Sequence, residues 1–172
     1  KAGRAPAGAQ AAASHTGALA GSDSVFDAAA RRAGLLRVNT LETLFDAAET
    51  LAHARTQRGE RLAILTNGGG AGVLAADALT LQGGIMAELG PDTRAGLDSC
   101  LPPTWSRGNP VDIIGDAPAE RYAAALRVLL QAPEVDGVLF IHAPTAIVAA
   151  PEIAAACLPL IIEAVKPVLT CW

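Results

Sequence analysis

Residues 62–79, LAILTNGGGAGVLAADAL, decide the fold. A hydrophobic run from Leu62 to Leu65 stops at Asn67, passes through Gly68, Gly69, Gly70, Ala71 and Gly72, and resumes as a helical pattern carrying Val73, Leu74 and Leu79. The order is strand, glycine loop, helix. At such a junction the first helix amides have no intrahelical partner and the dipole is positive, so Asn67 to Gly72 form a candidate phosphate-binding entrance that glycine lets an anion approach closely. Two other readings stay open. Gly70, Gly72 and Ala75 also fit the GxGxxA form of a dinucleotide fingerprint, with Glu88 near the place of a ribose-binding acid, and a tight turn needs glycine for packing alone.

Working outward, the same alternation continues. A strand is expected at 85–89 and a helix opened by Pro91. A turn-rich loop, LPPTWSRGNPVDIIGDAP, keeps a strand-like VDII, and Pro118 opens a helix ending near Gln131. A fully buried strand at 137–141, a helix opened by Pro151 and a last strand within 167–172 complete the series. Strands alternating with helices imply right-handed crossovers and an α/β fold, a flavodoxin-like parallel sheet with helices on both faces. Upstream, HARTQRGE at 53–60 is the expected boundary. Before it, Thr40 caps a helix whose Leu41, Leu44, Phe45, Ala48, Leu51 and Ala52 follow helical spacing, and Ser22 or Asp23 caps another that stops at Gly34. Leu35 to Val38 reads as a short strand, and residues 1–13, small and unpatterned, as a loop.

Composition removes several classes of function. The chain has 172 residues and a net charge of -4, without a basic run or a set of aromatics to stack bases, so no nucleic-acid partner is expected. Cys100, Cys157 and Cys171 lack paired spacing, which argues against a disulfide framework or zinc site and fits a reducing, cytoplasmic setting; no metal site is expected. The most apolar stretch, from Gly137 to Ile162, is interrupted by Pro144, Pro151, Glu152 and Pro159, so no membrane span is expected where ~20 uninterrupted apolar residues are needed. A start at Lys1 suggests a piece of a longer protein.

One histidine stands out. His15 lies in AAASHTGALAGSDSVFDAA, residues 11–29, among serine, threonine and glycine just ahead of a helix start. An imidazole that is neutral near pH 7 is a nucleophile able to accept and hand on a phosphoryl group, although a loop histidine that merely hydrogen-bonds a turn has the same appearance. The small residues around it suit a travelling loop. His53 reads as a charge favourable at a helix end, His142 as a buried or edge histidine, Asn109 and Asp116 as turn and cap residues, and Trp105 and Trp172 as packing. Asp112 and Asp116 could line a cleft.

Taken together, residues 1–52, then LAILTNGGGAGVLAADAL, then NPVDIIGDA resemble the nucleoside-diphosphate-forming acyl-CoA synthetases, the superfamily of ADP-forming acetate–CoA ligases and succinyl-CoA synthetase. The resemblance implies a phosphohistidine at His15. It also implies that residues 1–58 close the phosphohistidine-carrying domain, and that residues 59–172 form most of a second flavodoxin-like CoA-ligase domain, cut short at its end. Its helix amino terminus at Asn67 to Gly72 would face the phosphohistidine. It further implies no tightly bound cofactor, with CoA, ATP or ADP and magnesium as substrates of the whole enzyme. The CoA-binding and ATP-grasp domains would belong to the same protein or to a partner subunit, in a homo- or hetero-oligomer. By itself the fragment is expected to be inactive. The alternative resemblance is to the synthetase-like regulatory region of a protein lysine acetyltransferase.

Overall fold

The computed structural model describes residues 3–16, 21–53 and 59–172. Chain contacts divide it into two compact units, Lys1–Glu49 and Thr50–Trp172.

The first unit is helical. Helix α1, Pro6–Thr16, occupies much of the stretch expected to be a loop. Pro6 suits a first helical turn, and alanine, the strongest helix former, recurs at 7, 9, 11, 12 and 13. With few polar residues to alternate with, such a run carries no periodicity to read. Helix α2, Asp23–Arg32, stops at Gly34, whose φ of 68° is the left-handed stop its position demands. Ser22 stands at the N-cap without a capping bond and pairs with Ser24 instead. Helix α3, Leu41–His53, is capped as expected: Thr40 Oγ1 accepts from the Thr43 amide at 3.1 Å. Leu35 to Val38 is not a strand, since no other strand exists among the described residues of this unit to pair with it. Arg37 anchors that segment, donating to Asp23 at 2.7 Å and Asp27 at 3.0 Å, while Arg4 donates to Asp23 and to Asn39.

The second unit is the expected parallel α/β sheet. Strand β1, Arg61–Thr66, leads into α4, Gly69–Leu81; then come β2, Ile85–Met86, α5, Pro91–Cys100, β3, Val111–Asp112, α6, Ala119–Gln131, β4, Gly137–Ile141, α7, Ala150–Glu163, and β5, Val168–Cys171. All pairings are parallel and the order is β2-β1-β4-β5, with β3 joining β1 beyond β2. Because side chains alternate along a strand, Ala63, Leu65, Val138 and Phe140 face one way into a core with Tyr122, Ala125 and Leu129 of α6 and Ile153 and Cys157 of α7. Leu62, Leu139, Ile141 and Cys171 face the other way and, with Ala71, Leu74, Ala75 and Ala78 of α4, line an apolar groove. Helices thus lie on both faces.

Two departures bear on the site. β2 ends at Met86 rather than running to 89, and β3 is only two residues long, so the first half of β1 pairs with β2 and the second half with β3. Asn109 closes the gap between them. Its Oδ1 accepts from the Ile64 amide at 2.8 Å, and its Nδ2 donates to the carbonyls of Leu62 and Ala87 at 2.9 and 3.0 Å. Asn109 is therefore not a turn or cap residue; its amide stands in for a missing piece of strand. At the other end of β1, Asp136 accepts from the amide, Nε and Nη2 of Arg61, each at 2.9 Å, and the guanidinium holds its carboxyl well below the usual carboxylate range.

Candidate functional site

The carboxyl end of β1 carries the site. Thr66 and Asn67 are buried, and their side chains fix the turn before the helix begins: Thr66 Oγ1 accepts from the Gly68 amide at 3.0 Å and donates to its carbonyl at 3.2 Å. Asn67 reaches across to the segment after β4, donating to the Ala143 carbonyl and accepting from the Ala143 amide, both at 2.8 Å. A side-chain amide bonded this way to one backbone residue prolongs the β1–β4 ladder by one rung. Asn67 is therefore occupied in holding the loop.

Gly68 is the N-cap of α4 and no side chain caps this helix. The first helical turn begins with the Gly72 amide donating to the Gly68 carbonyl at 3.1 Å, which leaves the amides of Gly69, Gly70 and Ala71 as the helix's uncapped donors. Gly69 and Gly70 are exposed and Ala71 is half-buried. The glycines are not equivalent. A Cβ on Gly68 would lie 2.8 Å from the Ala143 side chain, one on Gly69 2.9 Å from Asp112 Oδ2, and one on Gly72 2.9 Å from Thr66 Cγ2. Gly70 is different: no described atom lies within 4 Å of its would-be Cβ and its φ is not positive. Neither crowding nor strain requires glycine there. Among the glycines of this loop, Gly70 is the one that neither a close contact nor its backbone conformation demands.

The remaining candidates separate. His15 lies in the last turn of α1; its side chain, and residues 17–20 of the proposed travelling loop, fall outside the described residues, while 11–14 and 16 are helical rather than loop. His53 ends α3. His142 is buried beside Tyr122, whose hydroxyl lies 3.1 Å from Nδ1, and its ring meets that of Trp172 at a tilt; burial lowers its pKa. The Tyr122 hydroxyl is pushed up to about 12, mainly by burial. Asp116 pairs with Arg121 at 2.6 Å, and Trp105 is buried with Nε1 donating to Asp98. Glu88 is exposed. Asp112, by contrast, is brought to the amino end of α4 by the β1–β3 pairing. No group of three or more His, Cys, Asp or Glu among the described residues could hold a metal ion, and no described helix is long and apolar enough to cross a membrane.

Residues 62–168, more than half of the sequence, match the Ligase-CoA domain. The chain belongs to the Ligase-CoA domain family. Its first part, residues 1–51, matches the succinyl-CoA ligase-like flavodoxin domain. The homologues of this Ligase-CoA chain are ADP-forming acid–thiol ligases. It is 46% identical over 146 residues to acetate–CoA ligase [ADP-forming] I of Archaeoglobus fulgidus, covering 85% of this chain and 21% of that protein. It is 40% identical over 154 residues to the alpha subunit of acetate–CoA ligase [ADP-forming] I of Pyrococcus furiosus, covering 90% and 33%. Among solved structures, dinucleotide-forming acetyl-coenzyme A synthetase 1 of Ca. Korarchaeum cryptofilum, in complex with phosphate and ADP, matches with a TM-score of 0.91 at 36% identity, over 99% of this chain and 37% of that one. The Ligase-CoA chain thus spans about a fifth to a third of the curated relatives cited.

Proposed function

We propose that this chain is the phosphoryl-handling part of an ADP-forming acyl-CoA synthetase, which catalyses acyl-CoA + ADP + phosphate ⇌ carboxylate + CoA + ATP. His15 is the phosphoryl carrier: its imidazole takes the phosphoryl group in line and passes it on, dividing one difficult transfer into two easier ones. Within the entrance Asn67 to Gly72, the uncapped amides of Gly69, Gly70 and Ala71 hold that group, since they are oriented before any ligand arrives and need no reorganisation in the transition state. CoA, ATP or ADP and magnesium enter as substrates, and the CoA-binding and ATP-grasp functions reside in the remainder of the protein or in a partner subunit. Residues 1–58 and 59–172 act as two domains of that assembly, in the cytoplasm. The observation that carries the reading is the uncapped α4 amino end at the carboxyl edge of a parallel sheet, in a chain whose relatives are named as ADP-forming ligases.

The experiment gives the full-length protein labelled ATP and magnesium and follows acid-labile, base-stable phosphate. His15→Ala should abolish the label; a His15→Ala protein that retains it removes His15 from the mechanism. Gly70→Val should melt like the parent, because a Cβ at this position meets no described atom within 4 Å and the φ is not positive. Its phosphorylation should slow ~100- to 1,000-fold, the cost of disabling one preorganised donor. Labelling at the parental rate would show that the loop only turns the chain.

A further inference from the structure

Asp112 is a carboxylate in a place that looks unfavourable for phosphate. Its Oδ2 lies 2.9 Å from the position a Cβ would take on Gly69, directly beside the amino end of α4. The side chain is held there from several directions. Oδ1 accepts from the Ile114 amide at 2.9 Å, and the Asp112 amide donates at 3.0 Å to Ser106 Oγ, which itself donates to the Pro110 carbonyl at 2.7 Å. Ile114 has a φ of 71°, a left-handed conformation that a β-branched residue adopts only under constraint, and Arg121 ties the turn down by donating to the Ile113 carbonyl. Oδ2 has no hydrogen-bond partner among the described residues. A negative charge is thus fixed against the helix end that attracts anions, and only one of its two oxygens is engaged by the turn.

We propose that Asp112 is a specificity-determining residue of the phosphate-handling entrance: its charge weakens the hold of the α4 amino end on phosphate, so that the group stays transferable instead of being trapped. The inference rests on the phosphate reading of Asn67 to Gly72. A helix terminus lined only by amides attracts every small anion in the cell, whereas a carrier must release its cargo in both directions of a reversible reaction. A fixed carboxylate opposes free anions by Coulomb repulsion. A phosphoryl group delivered on a covalent carrier is bound with far less loss of freedom and overcomes that opposition. Before phosphate arrives, the same carboxylate complements the dipole that would otherwise face water.

The test measures binding of inorganic phosphate to the full-length protein by calorimetry, with Asp112→Asn, Asp112→Ser and Gly70→Val beside the parent. Both Asp112 variants keep an acceptor for the Ile114 amide and remove the charge. They should bind phosphate at least about tenfold more tightly, since like charges a few ångströms apart in partly hydrated surroundings repel by more than the 1.4 kcal/mol that a factor of ten represents. In turnover they should lower KM for phosphate and lower kcat as well, a split that damage to the turn does not produce. Unchanged or weaker binding in a variant that melts like the parent, while Gly70→Val still weakens binding, removes the role of Asp112 alone. No binding at all, or binding that Gly70→Val leaves untouched, removes the phosphate reading and this inference with it.

Discussion

The two units of the chain are held together by opposite means. In Thr50–Trp172, Leu65, Leu97, Val111, Leu126, Leu129, Val138 and Phe140 are all fully shielded, and the buried polar side chains Thr66, Asn67 and His142 are each hydrogen-bonded. In Lys1–Glu49, Ala30 is the one buried apolar residue among those described, while Phe26, Leu36, Leu41, Leu44 and Phe45 stay exposed. What fastens that unit is a set of charged pairs around Arg37, Asp23, Asp27, Arg31 and Arg4. Surface ion pairs contribute little because water competes for both partners, whereas burial of apolar area is the dominant favourable term in folding. Amphipathic pattern alone, which both units possess, does not guarantee a core.

The sharpest way to break this contrast is to separate the pieces. Residues 59–172 alone should unfold in one cooperative thermal transition followed by near-ultraviolet circular dichroism, and residues 1–53 alone should show none. A sigmoidal melt of the short piece would mean that its charged pairs suffice. A finer test compares one side chain from each unit. Asn109→Ala strips the partner from the Ile64 amide and from the Ala87 carbonyl, while the Leu62 carbonyl keeps the Ala87 amide, and should cost about 2–4 kcal/mol in denaturant melts, given that each stranded backbone group is expensive. Arg37→Ala, made in the same chain, should shift the curve far less; equal losses would erase the distinction between an amide that replaces part of a strand ladder and a set of paired charges.

The smallest expected effect is one of pH. Burial lowers the pKa of His142 below its ordinary value of 6.5, so the unfolded chain binds the proton first. Its contribution is therefore complete above pH 6.5 and lost as pH falls through the lower, folded-state value. Melting temperature should drop between neutral and mildly acid pH, and His142→Gln should flatten that part of the profile. A parent whose stability stays level across this interval would show that the histidine accepts its proton in place.

Much of the second unit is written locally. β4 runs from Gly137 to Ile141 as its apolar pattern says, and the glycine loop lies at a strand-to-helix junction because a hydrophobic run ending in small residues leaves few other choices. α1 was not legible because an alanine-rich run carries helix propensity without helix periodicity. Leu35 to Val38 has the composition of a strand, but a strand is defined by a neighbour, and none is there among the described residues. The site shows the same division. That Asn67 to Gly72 form the entrance is an expectation from composition; that Gly68, Gly69 and Gly72 are demanded by Ala143, Asp112 and Thr66 while Gly70 is not depends on residues brought together by the sheet. Asn109 misled for the same reason, since asparagine in a proline-rich loop ordinarily signals a turn.

The splice made by Asn109 has a consequence for behaviour at high concentration. A continuous row of unpaired donors and acceptors along a strand is a template on which another chain can add itself, the first step of edge-to-edge aggregation. Between its contacts with β2 and β3, which cover two residues each, β1 would leave the Ile64 amide open to such pairing. By placing a side-chain amide in the opening, Asn109 consumes the Ile64 donor and shares the Leu62 acceptor, so the stretch most able to recruit a foreign strand is already taken. What remains at that edge is a pair of two-residue strands, too short to serve as a template for anything else.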